Sequence, residues 1–406
     1  MPLKNFKPTA LRLMAALLAS YRDGPPRPEL DRARRPHQRI ALVKLDGIGD
    51  FILATGLLRG LREQWRGADA TLFCRAEVGA LARQQFPEWT VTEIPWPQNA
   101  AKKILLNRTL RRRLKSQPAF DLLLDLRTHR DFIERTVASW IPARQKIAPR
   151  NPHPPAGRWA RLPDDERIYD HLVEMPARHF DGVPQDLQNH RALAEHLFPG
   201  LSGGAVTTPR LFVTAAEKES LVRRFAPSLN APFLLVCPGA RAAIREYPAA
   251  ELARVVADAV AVSPLNVVVA GSRLDAGATG RFIEAAERLG VKTLNLTGAL
   301  NLAEHLALMA LARTVLCMET SHAHMAGALG VPAVVILGGG HHGQFAPWGE
   351  SPTFRWLTHP LPCYGCNWIC IHDRPVCIQD IPAAAVAKNL AEVVTLAKSA
   401  RTDGDR

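Results

Sequence analysis

Short apolar runs alternate with helical patterns along the first half of the chain. Apolar runs predict strands at RIALVKL (39–45), ATLFCR (70–75), VTEIPW (91–96) and FDLLLDLR (120–127). Helical patterns occupy the intervals, including one predicted helix over 50–65 and one over 100–116. Continuous apolar runs separated by helices predict a parallel sheet with helices on both faces. This half is therefore expected to be a doubly wound α/β domain.

The same alternation restarts after an interruption at residues 151–206, which are rich in Pro, His and Arg and are expected to form long loops and short helices. The second set of predicted strands is PFLLVCPGA (232–240), NVVVAGS (266–272), VKTLNLTG (291–298), TVLCMET (314–320) and AVVILGG (333–339). A second wound sheet in series predicts a second domain. The predicted organisation is a basic N-terminal helix and linker (1–37), two α/β domains (38–206 and 207–381), and a C-terminal helix and tail (382–406).

The stretch LVKLDGIGD, from 42 to 50, combines the end of a strand, a glycine turn and the start of a helix. Asp50 stands at the predicted helix N-terminus, where the helix dipole favours an ionised carboxylate. Asp is also a common helix cap. Gly47 and Gly49 would let a ligand approach the backbone closely. From this stretch alone, both a capping role and a chemical role for Asp50 remain open.

The composition adds a strong positive charge to this picture. The chain has 51 Lys and Arg against 38 Asp and Glu, a net charge of +13. Such a balance predicts an anionic partner, such as a membrane surface or a phosphorylated substrate. Nucleic acid is disfavoured, because the sequence has no aromatic RNA-binding motif and no zinc-finger spacing. The basic stretch NRTLRRRLK, with Arg111 and Arg112, is either an exposed helix face or a site for acceptor phosphates or lipid head groups.

The N-terminal segment has two interpretations of equal weight. One apolar helix face can be formed by Leu11, Met14, Ala15, Leu17 and Leu18. This helix is either a frayed or packed terminal helix, or it rests on a membrane with Lys4, Lys7 and Arg12 at the lipid phosphates. No apolar run is long enough to cross a bilayer. Cys74 and Cys237 stand in strand-like runs as small buried hydrophobes, which favours a reducing cytosol.

A cysteine-rich segment follows the last predicted strand. Cys363, Cys366, Cys370 and Cys377 are spaced Cys-x2-Cys-x3-Cys-x6-Cys. They form either a packed loop with free thiols or a site for structural zinc or an iron–sulfur cluster.

Three blocks together resemble glycosyltransferase family nine, the ADP-heptose:lipopolysaccharide heptosyltransferase-like enzymes. The blocks are VKLDGIGDFILATGLLRGLRE (43–63), CPGARAAIREYPAAELARVV (237–256) and CMETSHAHMAGALGVPAVVILGG (317–339). Their order and spacing agree with the family from about residue 38 to 390. The chain departs where the family usually has Lys-Arg-Trp-Pro and Asp-Ser/Thr-Gly, since it carries Arg245-Glu246-Tyr247-Pro248 and Glu319-Thr320-Ser321.

The resemblance implies the GT-B fold, in which two Rossmann-like domains face each other across a cleft. It also implies an inverting, metal-independent glycosyltransferase that uses no cofactor, with heptose from ADP-heptose as donor and a lipopolysaccharide core or related glycan as acceptor. Asp50 would be the general base, with Gly47, Gly49, Arg111 and Arg112 on the acceptor side. The donor-binding residues would be Gly239, Arg245, Asn295, Glu319, Thr320, Ser321 and His324.

His322 is expected to be a core histidine, because the histidine of the family motif is His324. A cytoplasmic location, peripheral on the inner face of the bacterial inner membrane, follows from such an acceptor. Two alternatives remain open: another nucleotide sugar as donor, and a non-catalytic GT-B binding protein. A dinucleotide oxidoreductase is disfavoured, because the turn at 46–50 lacks the full Gly-x-Gly-x-x-Gly motif.

Overall fold

The computed structural model of the chain contains two compact units. The first unit includes most of the chain before Thr208, and the second includes Thr208 onward together with Ile52–Gly56 and His179–Leu187. The structure describes residues 14–21, 38–96, 100–105, 107–150, 165–177, 180–201 and 208–404.

The first unit is built on a parallel six-stranded sheet with the order β3-β2-β1-β4-β5-β6. Its strands are β1 (Arg39–Lys44), β2 (Asp69–Arg75), β3 (Thr90–Ile94), β4 (Phe120–Asp125), β5 (Ala143–Pro149) and β6 (His171–Val173). The helices along this part of the chain are α1 (Ile48–Gln64), α2 (Ala76–Gln85), α3 (Ala100–Leu105), α4 (Arg108–Lys115), α5 (Phe132–Trp140), α6 (Asp165–Ile168) and α7 (Gln185–Leu197).

Two sequence predictions about the first unit are wrong in detail. The single helix predicted over 100–116 is two helices, because the side chain of Asn107 accepts a hydrogen bond from Leu110 N at 2.9 Å and starts α4. Asn is favoured at such a cap. Residues 151–206, predicted as loops and short helices, include strand β6 and the 13-residue helix α7.

The described part of the N-terminal segment packs on the first unit. Residues 14–18 are helical, and Ala15 is fully buried in the same apolar cluster as Trp140. The indole Nε1 of Trp140 donates a hydrogen bond to Leu18 O at 2.7 Å, and Ser20 N donates to Ser139 Oγ at 2.9 Å. This part of the segment therefore follows the packed interpretation. Lys4, Lys7 and Arg12 of the membrane interpretation lie outside the described residues.

The second unit repeats the architecture, with a six-stranded parallel sheet in the order β12-β11-β10-β7-β8-β9. Its strands are β7 (Phe233–Cys237), β8 (Asn266–Val269), β9 (Thr293–Asn295), β10 (Thr314–Met318), β11 (Ala333–Ile336) and β12 (Phe354–Leu357). Its helices are α8 (Ala215–Phe225), α9 (Ala249–Val262), α10 (Ala276–Arg288), α11 (Leu302–Leu311), α12 (Ser321–Leu329), α13 (Val376–Gln379) and α14 (Ala383–Gly404).

The two sheets share one strand order, which is the order of the Rossmann fold. In the first sheet, strands are added outward on one side of β1 up to β3 and then on the other side from β4, so the strand order reverses between the neighbours β1 and β4. In the second sheet it reverses between β7 and β10. Ligands of such sheets bind at the carboxyl ends of the strands flanking this switch point. The prediction of two doubly wound α/β domains is confirmed, and it directs attention to two switch points.

Each unit has an apolar core beside its sheet. In the second unit, the last helix α14 completes the core, since Val386 and Leu390 are fully buried in one cluster with Val236 of β7. Burying a side chain of this size stabilises the fold by about 1.5–3 kcal/mol. Among the described residues, no helix is both long and apolar enough to cross a bilayer.

Candidate functional site

Asp50 lies at the switch point of the first sheet, in the first turn of α1. The helix is capped by Gly47, whose backbone is extended (φ −77°), and Asp50 is the third helical residue. Its Oδ2 accepts a hydrogen bond from Gly47 N at 3.2 Å. The N-cap interpretation of Asp50 is therefore wrong in position. The carboxylate instead closes a capping box from inside the helix, and it is half-buried.

A group of charged residues follows the ends of β1, β2 and β4 on the same edge of the sheet. Lys44 Nζ and Asp46 Oδ2 are 2.8 Å apart, with both side chains buried. Arg127 Nε lies 3.9 Å from Asp46 Oδ2, and its guanidinium also bonds Glu134. Arg75 donates to Leu45 O at 2.7 Å and lies 3.7 Å from Glu134.

Two guanidinium groups of this charged group, those of Arg75 and Arg127, lie close together. Burial, and then the adjacent Arg127 charge, lower the pKa of Arg75. Two neighbouring cations at the carboxyl edge of a sheet suit an anionic ligand such as a phosphate. Sequence reasoning missed Arg75 and Arg127, although each stands at or directly after the end of a buried strand.

A second, deeper network holds the loop after β4 in place. Tyr169 Oη donates to Asp125 Oδ2 at 2.5 Å, and Arg130 lies 3.0 Å from Asp165. Arg135 Nε lies 3.1 Å from the same Asp165 carboxylate. Burial raises the pKa of Asp125, and the charge of Arg130 opposes that rise. The network fixes the segment that presents Arg127 to the switch point.

The other residues predicted to bind the acceptor lie at the start of α1 and on α4. Gly49 is the residue before Asp50 in α1, and an added Cβ at Gly47 would meet Asp50 Oδ2 at an ordinary 3.4 Å. Arg111 and Arg112 lie on α4, with the Arg111 guanidinium carbon 6.0 Å from the Trp140 ring centroid and Arg112 exposed. Their contribution to an acceptor site stays a prediction.

The second unit joins Arg245 and Glu319 at its own switch point. Arg245 ends a 3-10 turn after β7, and Glu319 directly follows β10. One Arg245 nitrogen, Nη2, donates to the Glu319 carboxylate at 2.6 Å and to its backbone oxygen at 2.5 Å. Burial raises the pKa of Glu319, and the Arg245 charge opposes the rise. The two departures from the family pattern are therefore partners of each other.

Arg245 keeps hydrogen-bonding capacity beyond this pair. Its Nε is buried and has no hydrogen-bond partner among the residues that the structure describes. A buried guanidinium N–H without a partner is costly unless a ligand accepts from it. The Trp368 ring covers the guanidinium with its centroid 5.1 Å from the Arg245 Cζ. Trp368, in the cysteine-rich segment, is a site residue that sequence reasoning missed.

Helix α12 starts beside this pair and carries three of the predicted donor residues. Thr320 is its N-cap and Ser321 its first residue, and the Thr320 hydroxyl accepts from His322 N, so an anion here would be favoured chiefly by the positive end of the helix dipole. His324 is buried, and its Nδ1 accepts a hydrogen bond from Trp348 Nε1 at 3.0 Å. Burial, and then the Arg245 charge, lower the pKa of His324 to about 3. His324 is therefore a neutral imidazole close to Arg245.

The remaining predicted donor residues are placed differently. Gly239 follows β7, and an added Cβ there would lie 2.4 Å from Asp275 Oδ1, so the close approach of Asp275 explains this glycine. Asn295 ends the edge strand β9, which β8 separates from β7. It is exposed, and its Oδ1 accepts from Thr297 N at 3.0 Å. The structure does not bring Asn295 together with Arg245, Glu319 and Thr320.

Comparison with known proteins was made by sequence family and by structure. The family model described as Glycosyltransferase family 9 (heptosyltransferase) matches residues 176–367. This range contains the Arg245 site and does not include Asp50. No curated protein matches the chain.

Several solved structures share the fold. Escherichia coli ADP-heptose LPS heptosyltransferase II is 18% identical, with a TM-score of 0.61 over 89% of this chain and 99% of that one. A family 9 glycosyl transferase from Veillonella parvula is 15% identical, with a TM-score of 0.64 over 88% and 97%. E. coli heptosyltransferase WaaC with ADP-2-deoxy-2-fluoro heptose is 12% identical, with a TM-score of 0.59 over 87% and 99%. At these identities the likeness concerns the fold, and it confirms the GT-B-like α/β prediction.

Proposed function

We propose that the chain, whose residues 176–367 match the family model of glycosyltransferase family 9 (heptosyltransferase), is a heptosyltransferase-like enzyme that transfers heptose from ADP-heptose to a lipopolysaccharide core or related glycan. The donor is proposed because structural relatives carry ADP-heptose in their names, one of them with ADP-2-deoxy-2-fluoro heptose bound. The acceptor is proposed on the same ground and on the net charge of +13, which suits a phosphorylated acceptor.

One observation carries the donor half of the proposal. Arg245 is held at the switch point by Glu319, while its buried Nε has no partner among the described residues. A diphosphate oxygen would accept from that Nε, and the positive end of the α12 dipole would add attraction for its charge. A preorganised cation at this place stabilises the charge that develops on the leaving diphosphate. His324, kept neutral by burial, adds no further charge to the site.

The proposed chemical step is a single inverting displacement without a metal ion. The acceptor hydroxyl oxygen attacks the anomeric carbon of heptose and forms the new glycosidic bond. The bond between that carbon and the diphosphate oxygen breaks, and ADP leaves with the electron pair. Asp50 takes the hydroxyl proton, which is the task of a general base within hydrogen-bonding reach. Asp50 lies in the first turn of α1, where the helix dipole favours a negatively charged group.

The acceptor side of the proposal rests on the first sheet. Arg75 and Arg127, beside Asp46, would receive a phosphate of the acceptor. Arg111 and Arg112 on α4 would add attraction toward phosphates or lipid head groups. We accordingly propose a cytoplasmic enzyme that works peripherally on the inner face of the bacterial inner membrane.

Thermal unfolding with ADP, UDP, GDP, CMP and NADH in parallel tests the donor. A nucleotide present at about a hundred times its dissociation constant stabilises the folded state by about 2.7 kcal/mol. We expect ADP to raise the unfolding temperature selectively. Stabilisation by UDP or GDP alone would select the alternative donor. Stabilisation by NADH alone would overturn the glycosyltransferase proposal.

Two substitutions show whether the nucleotide binds where the structure indicates. Arg245→Met should abolish the stabilisation by ADP. Arg254→Met is the matched control, because Arg254 is an exposed cation of the same unit that pairs with Glu251 on α9. An ADP response that Arg245→Met leaves intact would contradict this donor site. Absence of any nucleotide response would favour the non-catalytic binding protein.

A further inference from the structure

Three buried side chains with metal-binding atoms meet in the second unit, outside the proposed donor contacts. They are Cys237, the last residue of β7, His305 of α11 and His322 of α12, and their ligand atoms all lie within 4.8 Å of one another. The side chains come from three elements that are far apart in sequence, so no spacing motif indicates them. His322, expected from the sequence to be a core histidine, is part of this cluster.

The cluster is polar but lies in the interior. Cys237 is 0% exposed, His305 6% and His322 9%, and the two imidazole centroids are 4.9 Å apart. The Nε2 of His305 is buried and has no hydrogen-bond partner among the described residues. Buried polar atoms are almost always paired, so an unpaired one calls for a ligand.

The hydrogen bonds of His322 leave the right lone pair for a metal ion. Its Nδ1 lies 3.1 Å from Thr320 Oγ1, and that hydroxyl is 3.4 Å from Met318 O, to which it donates. If Thr320 donates to Met318, its oxygen accepts from a protonated Nδ1. The other ring nitrogen, Nε2, then keeps its lone pair. A metal-bound histidine commonly has this arrangement, in which an outer hydrogen bond fixes the tautomer.

We propose that Cys237, His305 and His322 form a zinc site with three protein ligands. One thiolate and two imidazoles are the soft and borderline ligands that zinc takes in proteins. A tetrahedral zinc holds its ligand atoms about 3.3–3.8 Å apart, so small side-chain rotations would close the cluster around it. Binding replaces the thiol proton of Cys237, which is released to solvent as the sulfur–zinc bond forms. A water supplies the fourth ligand.

The surroundings agree with neutral histidines and a carboxylate near the metal. Burial lowers the pKa of His305 to about 3 and that of His322 to about 4, so both imidazoles are uncharged near neutral pH. Burial, then the neighbouring Cys317 and then the charge of Asp275 raise the pKa of the Cys237 thiol, so the metal has to displace its proton. The zinc would connect the end of β7 to α11 and to the start of α12, which carries Thr320 and Ser321. It would stabilise the donor side of the second unit and take no part in the chemical step.

Metal analysis of the full-length chain tests the site, in a background variant whose cysteine-rich segment can no longer compete for the metal. The background variant therefore carries Cys363→Ser, Cys366→Ser and Cys370→Ser. After dialysis against zinc and then against metal-free buffer, we expect about one zinc per chain by elemental analysis. Cobalt in place of zinc should give the thiolate-to-cobalt charge-transfer absorption of a single cysteine ligand.

The ligands are assigned by matched substitutions in this background. Cys237→Ala should lose the bound zinc and the cobalt absorption, whereas Cys317→Ala should keep both. Cys317 is the control because it is equally buried and faces Cys237 in register on the neighbouring strand β10. His305→Gln and His322→Gln should also lose the metal, with His190→Gln, a buried histidine of the first unit, as their control.

Circular dichroism confirms that each variant is folded, and if a histidine variant fails to fold, the two cysteine variants decide the question. Zinc should also raise the unfolding temperature of the background variant and not that of Cys237→Ala. A background chain that binds no zinc would overturn the proposal. Equal zinc binding by Cys237→Ala and Cys317→Ala would overturn it as well.

Discussion

Arg245 and Glu319 show how two departures from a family pattern can be one physical change. Both side chains are largely buried, at 17% and 5% exposed, and their closest atoms are 2.6 Å apart. A longer carboxylate opposite a guanidinium retains the opposite charges and adds a planar hydrogen-bonding group. Each substitution keeps the sign of the charge, so the two positions still form a pair of opposite charges. The sequence identifies both positions but not their contact, because the 3-10 turn that carries Arg245 and the end of β10 come together only in the folded chain.

A double-mutant cycle on this pair measures the coupling. Arg245→Met alone leaves the Glu319 carboxylate buried without its counterion, and we expect it to lower the free energy of unfolding by about 3 kcal/mol. The double variant Arg245→Met/Glu319→Leu should recover most of that loss, because no charge remains buried. Denaturant unfolding gives the four free energies. Additivity of the two single changes to within about 0.5 kcal/mol would show that the contact carries no coupling.

At the scale of the elements, the sequence predicted nine of the twelve described strands and missed β5, β6 and β12. Strands β1 and β7 are continuous apolar runs, because helices cover both of their faces. The missed strand β12 alternates buried and half-buried residues, and β6 has three residues at the end of its sheet. Both are edge strands that are short and partly solvated, and neither carries a long apolar run. Strand β5 was missed for a related reason, since Arg144, Gln145 and Lys146 interrupt its pattern.

Two glycines of the second unit should affect stability in opposite directions when each is replaced by alanine. Gly330 ends α12 in the left-handed region (φ 69°), and Gly280 lies inside α10. An added Cβ would meet nothing within 4 Å at either position, so only the backbone differs. Gly330→Ala should destabilise by about 1 kcal/mol, and Gly280→Ala should stabilise by about 0.5–1 kcal/mol. Denaturant unfolding distinguishes these signs, and stabilisation by Gly330→Ala would contradict the assigned helix end.

At the scale of the molecule, two sheets with one strand order place the two candidate sites at equivalent positions. Asp50 with Arg127 in the first unit, and Arg245 with Glu319 in the second, follow the strands that flank a switch point. The sequence could predict Asp50, Arg245, Glu319 and His324, because they stand in local motifs after apolar runs. It could not predict groupings of residues that only the tertiary fold assembles. Trp368 over Arg245 and the cluster of Cys237 with two histidines are of that kind.

The net charge of +13 is a property of the whole molecule. A surplus of 13 positive charges raises the rate of encounter with polyanions and makes it fall with added salt. Part of this charge lies on α4, where Arg112 and Arg113 are exposed. This feature suits a phosphorylated acceptor at an anionic surface, in agreement with the acceptor proposed above.

The role of Asp50 as the general base is tested most directly by an assay of heptose transfer. The wild type and Asp50→Asn are each given labelled ADP-heptose and a heptose-deficient lipopolysaccharide core. Asparagine can still accept the hydrogen bond from Gly47 N and so keeps the start of α1, but it cannot serve as a base. We expect transfer by the wild type and a fall of about a hundredfold or more in the variant, with ADP binding unchanged. Asp69→Asn, at the opposite end of β2, should transfer like the wild type. Unchanged turnover in Asp50→Asn would contradict the account.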